Sequence, residues 1–251
     1  MSLDILSLLI LFFSGVMAGF VDSIAGGGGV ITLPALLAVG MPPHQALATN
    51  KLQSSFGSLT ATLNYTRVGL IRPKELIVGV VFTLIGASCG TIAVQFFKAE
   101  SLNLLIIVML IVIFVYTLFS PKLGMQKSHH KMNKRLFYIL FGLLIGFYDG
   151  FFGPGTGSFW TMALILLLGL DLKSATAQTK LFNFVSNIVS LFLFIYFGLV
   201  VWIAGFVMGF GQIIGAFIGS NLVHKREVKF IRVFFLVVVA VIIIKLIYQN
   251  F

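Results

Sequence analysis

The chain has 251 residues, of which 59% are hydrophobic and only 10% are charged, and its mean hydropathy is +1.09. A soluble domain is about 45–50% apolar and about 25% charged, so this composition excludes an ordinary soluble enzyme, a disordered chain and a disulfide scaffold. Apolar runs of about 18 residues or more are long enough to cross a bilayer. We therefore predict an all-α polytopic membrane protein.

The net charge of +10 arises from 17 Lys and Arg against 7 Asp and Glu. In a membrane protein such an excess collects in cytoplasmic loops, so we predict no nucleic-acid partner. The one cysteine, Cys89, excludes an internal disulfide. Residues 1–4 carry no Lys or Arg, unlike a cleaved signal peptide, so the first apolar run is expected to stay in the protein.

An internal duplication is the most informative feature of the sequence. The offset between the copies is 127 residues at the aspartates (22 to 149) and 129 at the lysines (51 to 180). The matching segments are Gly19-Phe20-Val21-Asp22 with Gly146-Phe147-Tyr148-Asp149, the glycine-rich breaks 26–29 with 153–157, and 46–52 with 175–181.

Each half contains five apolar elements, which gives a first repeat over 1–120, a basic linker over 121–134 and a second repeat over 135–251. The second element of each half has only about 11–13 residues and reaches about half of a ~30 Å core. It is therefore a half-helix, a re-entrant segment or a strongly tilted span. The elements are predicted at 3–24, 30–40, 44–66, 74–96, 101–119, 135–152, 157–169, 173–197, 200–222 and 229–248.

The basic loops predict the orientation of the two halves. The loop near Gly69 is basic, whereas its counterpart near Gly198 carries no charge. Equivalent loops then face opposite sides, which five crossings per half produce and four do not. We predict two inverted repeats, ten crossings and both termini outside, an architecture common in secondary transporters.

Four charged residues fall inside the apolar elements, where Asp22 of the first half corresponds to Asp149 of the second and Lys51 corresponds to Lys180. The sequence does not show which aspartate pairs with which lysine. An unpaired charge at the centre of a span costs about 2.5–3.5 kcal/mol on insertion scales. These side chains are therefore expected to face the interior. They form either structural ion pairs that hold helices together or a pathway for substrate or protons, and the sequence leaves both interpretations open.

The glycine breaks favour an anion site. The short helix after each break has an electropositive N-terminus, and each lysine lies about 10 Å along the following helix, near the level of the break. The uncharged side chains nearby bind the anion or form interhelical hydrogen bonds. The candidate substrate-binding residues are Lys51, Lys180, Thr49, Asn50, Gln53, Gln178, Thr179, Asn183, Gly27, Gly28, Gly155 and Thr156.

The sequence lacks the arrangements typical of an enzyme. It has no HExxH, paired-carboxylate or Cys/His pattern, and the glycines at 26–29 lack the Gly-Lys-Ser/Thr ending of a nucleotide loop. We predict no catalytic residue, no metal site and no cofactor.

Segments 19–29 and 48–53 resemble the TauE/SafE sulfite exporter family, also called the toluene-sulfonate uptake permease family, and residues 146–157 are most similar to its YfcA-type branch. The resemblance covers nearly the whole chain. It implies a bacterial inner-membrane transporter of small sulfur-containing anions such as sulfite, sulfonates and sulfoacetate. The family motif carries over onto Asn50 and Lys51 and onto Thr179 and Lys180.

The two half-sites are not identical, because Gln178-Thr179 replaces Thr49-Asn50 and Pro154 replaces Gly27. Our leading hypothesis is a secondary transporter that exports such anions by alternating access. Asp22 and Asp149 then couple transport to protons or hold the lysines in place. The alternatives are a passive anion channel and a non-transporting membrane scaffold, and the sequence does not define the oligomeric state.

Overall fold

The computed structural model describes residues 3–119 and 132–223. Over these ranges the chain forms nine α-helices, one short 3-10 helix and no strand, which confirms the all-α prediction for them. The predicted element at 229–248 lies outside the described residues. The helices are α1 Ile5–Ala25, α2 Gly29–Ala38, α3 Pro43–Arg67, α4 Ile77–Val94, α5 Ala99–Phe119, α6 Lys134–Phe151, α7 Thr156–Leu168, α8 Leu172–Tyr196 and α9 Trp202–Val223, with the 3-10 helix Pro73–Leu76 before α4.

Four helical segments in the described ranges are long and apolar enough to cross a membrane: Ile5–Ile24, Pro73–Val94, Leu172–Tyr196 and Trp202–Leu222. α3 is as long as α8, at 25 residues, but carries many more polar side chains. Most of its middle residues are buried, so these polar groups face the protein interior. The full set of ten crossings stays a prediction.

The second element of each half is short, as the sequence predicts. α2 has 10 residues and α7 has 13, which correspond to about 15 Å and about 20 Å at 1.5 Å per residue. α1 ends at Gly26, whose φ is +78°, and α7 begins after Gly155, whose φ is +81°. Glycine adopts this left-handed conformation without the steric cost that other residues have, so the breaks depend on glycine.

α1 of the first half packs along α9 of the second half, and the two helices run in the same direction. Gly15 lies against Met208 near one end of the contact, and Gly219 lies against Ser23 near the other. The glycines let the two backbones touch, as at close helix crossings in membranes. α4 and α6 form the repeat-related contact, also in the same direction, from Phe82 with Gly142 to Ala87 with Gly150.

α3 and α8 occupy the centre of the bundle and pack against each other. α3 also runs along α9 in the same direction, from Leu52 against Gly205 to Asn64, which donates to Ser220 at 2.8 Å. The repeat-related contacts between α8 and α4 are Phe182 with Gly79 and Ser190 with Thr91. The main packing contacts therefore follow the internal duplication.

The close approach of α4 and α6 predicts the effect of one added methyl group. A Cβ at Gly90 would overlap the main-chain carbonyl of Phe147, so we expect Gly90→Ala to separate the helices and to lower the free energy of unfolding by about 1–3 kcal/mol. Cys89→Ala is the matched control, because Cys89 is exposed on the same helix. The effect is measured as the apparent Tm of each variant in detergent, compared with that of the unmodified protein.

An unchanged or raised Tm for Gly90→Ala would contradict the close packing. Alanine has a higher helix propensity than glycine by about 0.8–1 kcal/mol, so a loosely packed α4 would gain stability from the same substitution.

Candidate functional site

Two buried ion pairs connect the halves of the protein. The Lys51 ammonium on α3 lies 2.8 Å from the Asp149 carboxylate on α6, and the Lys180 ammonium on α8 lies 2.9 Å from the Asp22 carboxylate on α1. Each lysine therefore pairs with the aspartate of the other repeat. The sequence left the choice of partner open.

The Lys51–Asp149 pair is the more deeply buried of the two, and its polar atoms have partners on several sides. Lys51 donates both to the carboxylate and to the main-chain carbonyl of Asp149, and the Ser186 hydroxyl donates to the second carboxylate oxygen. The side chains of Lys51 and Asp149 are 1% and 4% exposed. Both carboxylate oxygens are thus occupied, as a buried charge requires.

The Lys180–Asp22 pair is more open. Lys180 is fully buried and donates to one oxygen of Asp22, while the main-chain N–H of Gly28 donates to the other at 3.3 Å. The Asp22 side chain is 19% exposed, several times the value for Asp149. The two repeat-related pairs therefore have different environments.

The two glycine breaks meet between these ion pairs. Gly26 of the first break packs directly on Gly157 of the second, and a Cβ on either residue would overlap the backbone of the other. A Cβ at Gly153 would lie 3.0 Å from the Lys51 ammonium. Glycine at these positions allows the backbone to approach both the other break and the buried charge.

The breaks, α3 and α8 enclose a polar cavity of about 30 Å³. This volume exceeds the roughly 10–15 Å³ that one water molecule needs. The N-terminal turns of α2 and α7 contribute to its wall, and such helix ends are electropositive. The lining residues are Asp22, Gly26, Gly28, Gly29, Asn50, Lys51, Ser54, Asp149, Gly153, Gly155, Thr156, Gly157, Asn183, Asn187 and Gln212.

The cavity brings together eight of the fourteen residues predicted from the sequence, and the other six lie outside its lining. Among those six, Lys180 reaches it only through Asp22. The eight are Asp22, Gly28, Asn50, Lys51, Asp149, Gly155, Thr156 and Asn183, and the six are Gly27, Thr49, Gln53, Gln178, Thr179 and Lys180.

Hydrogen bonds account for the uncharged side chains that lie outside the lining. Thr49 accepts from the Val201 main-chain N–H at 3.0 Å, Gln178 accepts from the Tyr138 hydroxyl at 2.9 Å, and Gln53 donates to Asn50 at 2.8 Å. The remaining pair is Thr179 with Thr161, at 3.1 Å. The hydrogen bonds of Thr49, Gln178 and Thr179 connect different elements of the fold, whereas that of Gln53 stays within α3. Hydrogen bonding between helices was one of the two roles that the sequence left open for these side chains.

Sequence reasoning missed several polar groups of the site. Ser54 and Asn187 each lie one helical turn beyond a predicted residue, Asn50 and Asn183 respectively, on the same helix face. That spacing could have identified them. Gln212 is an amide in an apolar, glycine-rich stretch of α9, which is also a detectable signal. Ser186 was also missed. Gly26, Gly29, Gly153 and Gly157 belong to the predicted glycine breaks but were not named as binding residues.

Asn183 has an unsatisfied acceptor. Its side-chain oxygen is buried and has no hydrogen-bond partner among the described residues, although the residue lines the cavity and is only 6% exposed. Buried polar groups are normally hydrogen-bonded. The cavity therefore offers a place for a water molecule or a polar ligand beside this residue.

Broken helices that surround a buried polar cavity are typical of membrane transporters. Comparison with known proteins gives the same class. The chain matches the family described as "Sulfite exporter TauE/SafE" over residues 11–246, and it belongs to that family.

Curated relatives support this assignment over nearly their full length. The chain is 44% identical over 241 residues to "Probable membrane transporter protein YfcA" of Escherichia coli strain K12, covering 96% of this chain and 90% of that protein. It is 40% identical over 254 residues to a "Probable membrane transporter protein" of Haemophilus influenzae, covering 100% and 98%. The protein is thus a membrane transporter of this family.

The different environments of the ion pairs predict unequal effects of removing a lysine. Lys51→Met leaves the Asp149 carboxylate buried without its counter-charge, which costs about 3–5 kcal/mol for a buried pair. We expect a smaller loss for Lys180→Met, because Asp22 has access to water in the cavity. The apparent Tm in detergent is measured for both variants and for the control Lys98→Met, whose lysine is exposed.

Equal Tm losses for Lys51→Met and Lys180→Met, or a larger loss for Lys180→Met, would contradict the difference in burial described above.

Proposed function

We propose that the protein is a secondary transporter that carries small sulfur-containing anions, such as sulfite or sulfonates, across the bacterial inner membrane by alternating access. One observation carries this proposal: both glycine breaks, the Lys51–Asp149 pair and the Asp22 carboxylate of the other pair line one buried polar cavity. A site built from both halves changes its access when one half moves against the other.

The charge balance of the cavity supports an anion as the substrate. In the described arrangement each lysine is neutralised by one aspartate, so the site carries no net charge. An anion needs one of these ammonium groups as a partner, and protonation of an aspartate releases it. Asp22 and Asp149 are therefore the candidates for coupling transport to protons.

Neutral amides supply the remaining recognition. Asn50, Asn183, Asn187 and Gln212 line the cavity, and the NH₂ group of each amide donates to anionic oxygen. The Asn50 oxygen already accepts from Thr32 at 2.5 Å and from Gln53 at 2.8 Å, which orients its NH₂ group. Amide donors of this kind suit the sulfur-bound oxygens of sulfite and sulfonates.

The helix directions support two inverted repeats. α1, α3 and α9 run in one direction along their contacts, and α4, α6 and α8 share another. α3 and α4 are separated by nine residues and α8 and α9 by five, and such short connections join antiparallel neighbours. α1, α3 and α4 of the first half thus run opposite to their counterparts α6, α8 and α9, in agreement with the orientation that the basic loops predict.

Transport is measured with purified protein in proteoliposomes, with sulfite and sulfoacetate as the substrates tested. We expect saturable flux that falls at least about tenfold, equal to about 1.4 kcal/mol, in the Lys51→Ala/Lys180→Ala double variant. Lys98→Ala is the matched control, because this lysine is exposed and does not line the cavity. Flux is normalised to the monodisperse protein recovered.

Undiminished flux in a folded double variant would reject the role of the lysines. Flux that does not saturate would indicate a passive channel instead of a transporter, and absence of flux for every anion tested would favour a scaffold.

The topology prediction is checked with reporter fusions. We expect a periplasmic reporter to be active at both the N-terminus and the C-terminus. The ten crossings return the chain to its starting side, and five crossings separate either end from the basic cytoplasmic linker. A cytoplasmic reporter that is active at either end would contradict the ten-crossing arrangement.

A further inference from the structure

We propose that the two repeat-related ion pairs have different functions. Lys51–Asp149 is a fixed pair that holds the halves together, whereas Lys180–Asp22 opens in each cycle and Asp22 takes up the one proton that accompanies the anion. This inference rests on the proposed function and deepens it, because it assigns the coupling proton to one carboxylate and fixes its stoichiometry.

Both oxygens of the Asp149 carboxylate already have a close hydrogen-bond partner, so a proton would have to displace one of them. One oxygen faces the Lys51 ammonium at 2.8 Å and the other accepts from the Ser186 hydroxyl, and the side chain is only 4% exposed. Protonation would remove a charged partner and a hydrogen-bond acceptor together. An unpaired ammonium at Lys51, 1% exposed, would then remain in the interior.

The carboxylate of Asp22 differs in each respect. Its second oxygen has only the longer contact from the Gly28 N–H, at 3.3 Å, and its side chain is 19% exposed toward a cavity that has room for water. A proton therefore has a route to Asp22, and an anion in the same cavity replaces Asp22 as the partner of Lys180.

The sequence itself encodes this difference. The offset of 129 residues places Gly57 of α3 in the position that Ser186 occupies on α8. Gly57 has no hydroxyl, and the Gln212 side chain lies against it instead. The first repeat therefore lacks the group that closes the Asp149 carboxylate, whatever conformation the transporter adopts.

The surroundings of Asp22 contain one direct counter-charge. α8 supplies Lys180, and α3 supplies the Tyr65 hydroxyl, which donates to the neighbouring Ser23 carbonyl at 2.8 Å. α2, α7 and α9 contain no ionisable side chain in their described residues. Lys51 and Asp149 share the cavity lining but neutralise each other.

The charges then balance in a simple cycle. A proton binds the Asp22 carboxylate, the Lys180 ammonium is released from it, and a monoanion takes its place beside that ammonium. On the other side the anion leaves, the proton leaves Asp22 and the ion pair forms again. One proton accompanies each anion in the same direction, so the step moves no net charge for a monoanion and one negative charge for a dianion. For a monoanion, net transport depends on the gradients of the anion and of the proton together, since the membrane potential does not act on an electroneutral step.

The first experiment labels protonated carboxyl groups in the full-length protein with the membrane-permeant reagent dicyclohexylcarbodiimide and locates the adduct by mass spectrometry. One hydrogen bond to a charged group shifts a protonation equilibrium by about tenfold, so we expect about tenfold more labelling at Asp22 than at Asp149.

Ser186→Ala is the matched control, because it opens the second oxygen of Asp149 and leaves Asp22 unchanged. We expect labelling at Asp149 to rise about tenfold in this variant, for the loss of one hydrogen bond. Equal labelling of the two aspartates in the unmodified protein, or preferential labelling of Asp149, would overturn the division of roles. This result does not depend on which anion is transported.

The second experiment measures flux of sulfite and sulfoacetate in proteoliposomes with and without a pH gradient. Asp22→Asn is expected to abolish the stimulation by the gradient while anion exchange at equal pH continues. Stimulation that survives in Asp22→Asn would overturn the proposal. If neither anion moves, the proposed function fails, whereas the labelling result still decides which aspartate takes up the proton.

Discussion

The arrangement of this transporter depends on two ion pairs that cross between its halves. Lys51 and Asp149 form one, Lys180 and Asp22 the other, at 2.8 and 2.9 Å. An unpaired charge inside a membrane span costs about 2.5–3.5 kcal/mol on insertion scales, and neither half neutralises its own charges. Each half is therefore incomplete alone. A buried pair adds little net stability, but it strongly disfavours any arrangement that separates the partners.

Glycine determines where these charges meet. The left-handed residues Gly26 and Gly155 stop and start helices within the bundle, and Gly26 packs on Gly157 of the other break. Main-chain groups, buried charges and amides then surround one small cavity. Its volume of about 30 Å³ has room for water.

The sequence predicts the elements well because hydropathy, glycine breaks and duplication are local or periodic signals. The nine described helices and the short α2 and α7 match those predictions. The pairing of the charges cannot be predicted in this way. The Asp-to-Lys spacing is 29 residues in the first repeat and 31 in the second, and it is compatible with Lys51 bonding to Asp22 or to Asp149, so only the fold decides. Thr49 and Gln178 show the same limit, because a polar side chain near a charge looks like a ligand until its partner on another helix is known.

Double-mutant cycles on protein stability test the crossed pairing most directly, with Asp→Asn and Lys→Met variants and unfolding free energies measured in detergent. The account predicts coupling of about 1–3 kcal/mol for Lys51 with Asp149 and for Lys180 with Asp22. It predicts clearly weaker coupling for Lys51 with Asp22 and for Lys180 with Asp149. Stronger coupling within a repeat than between repeats would contradict the account.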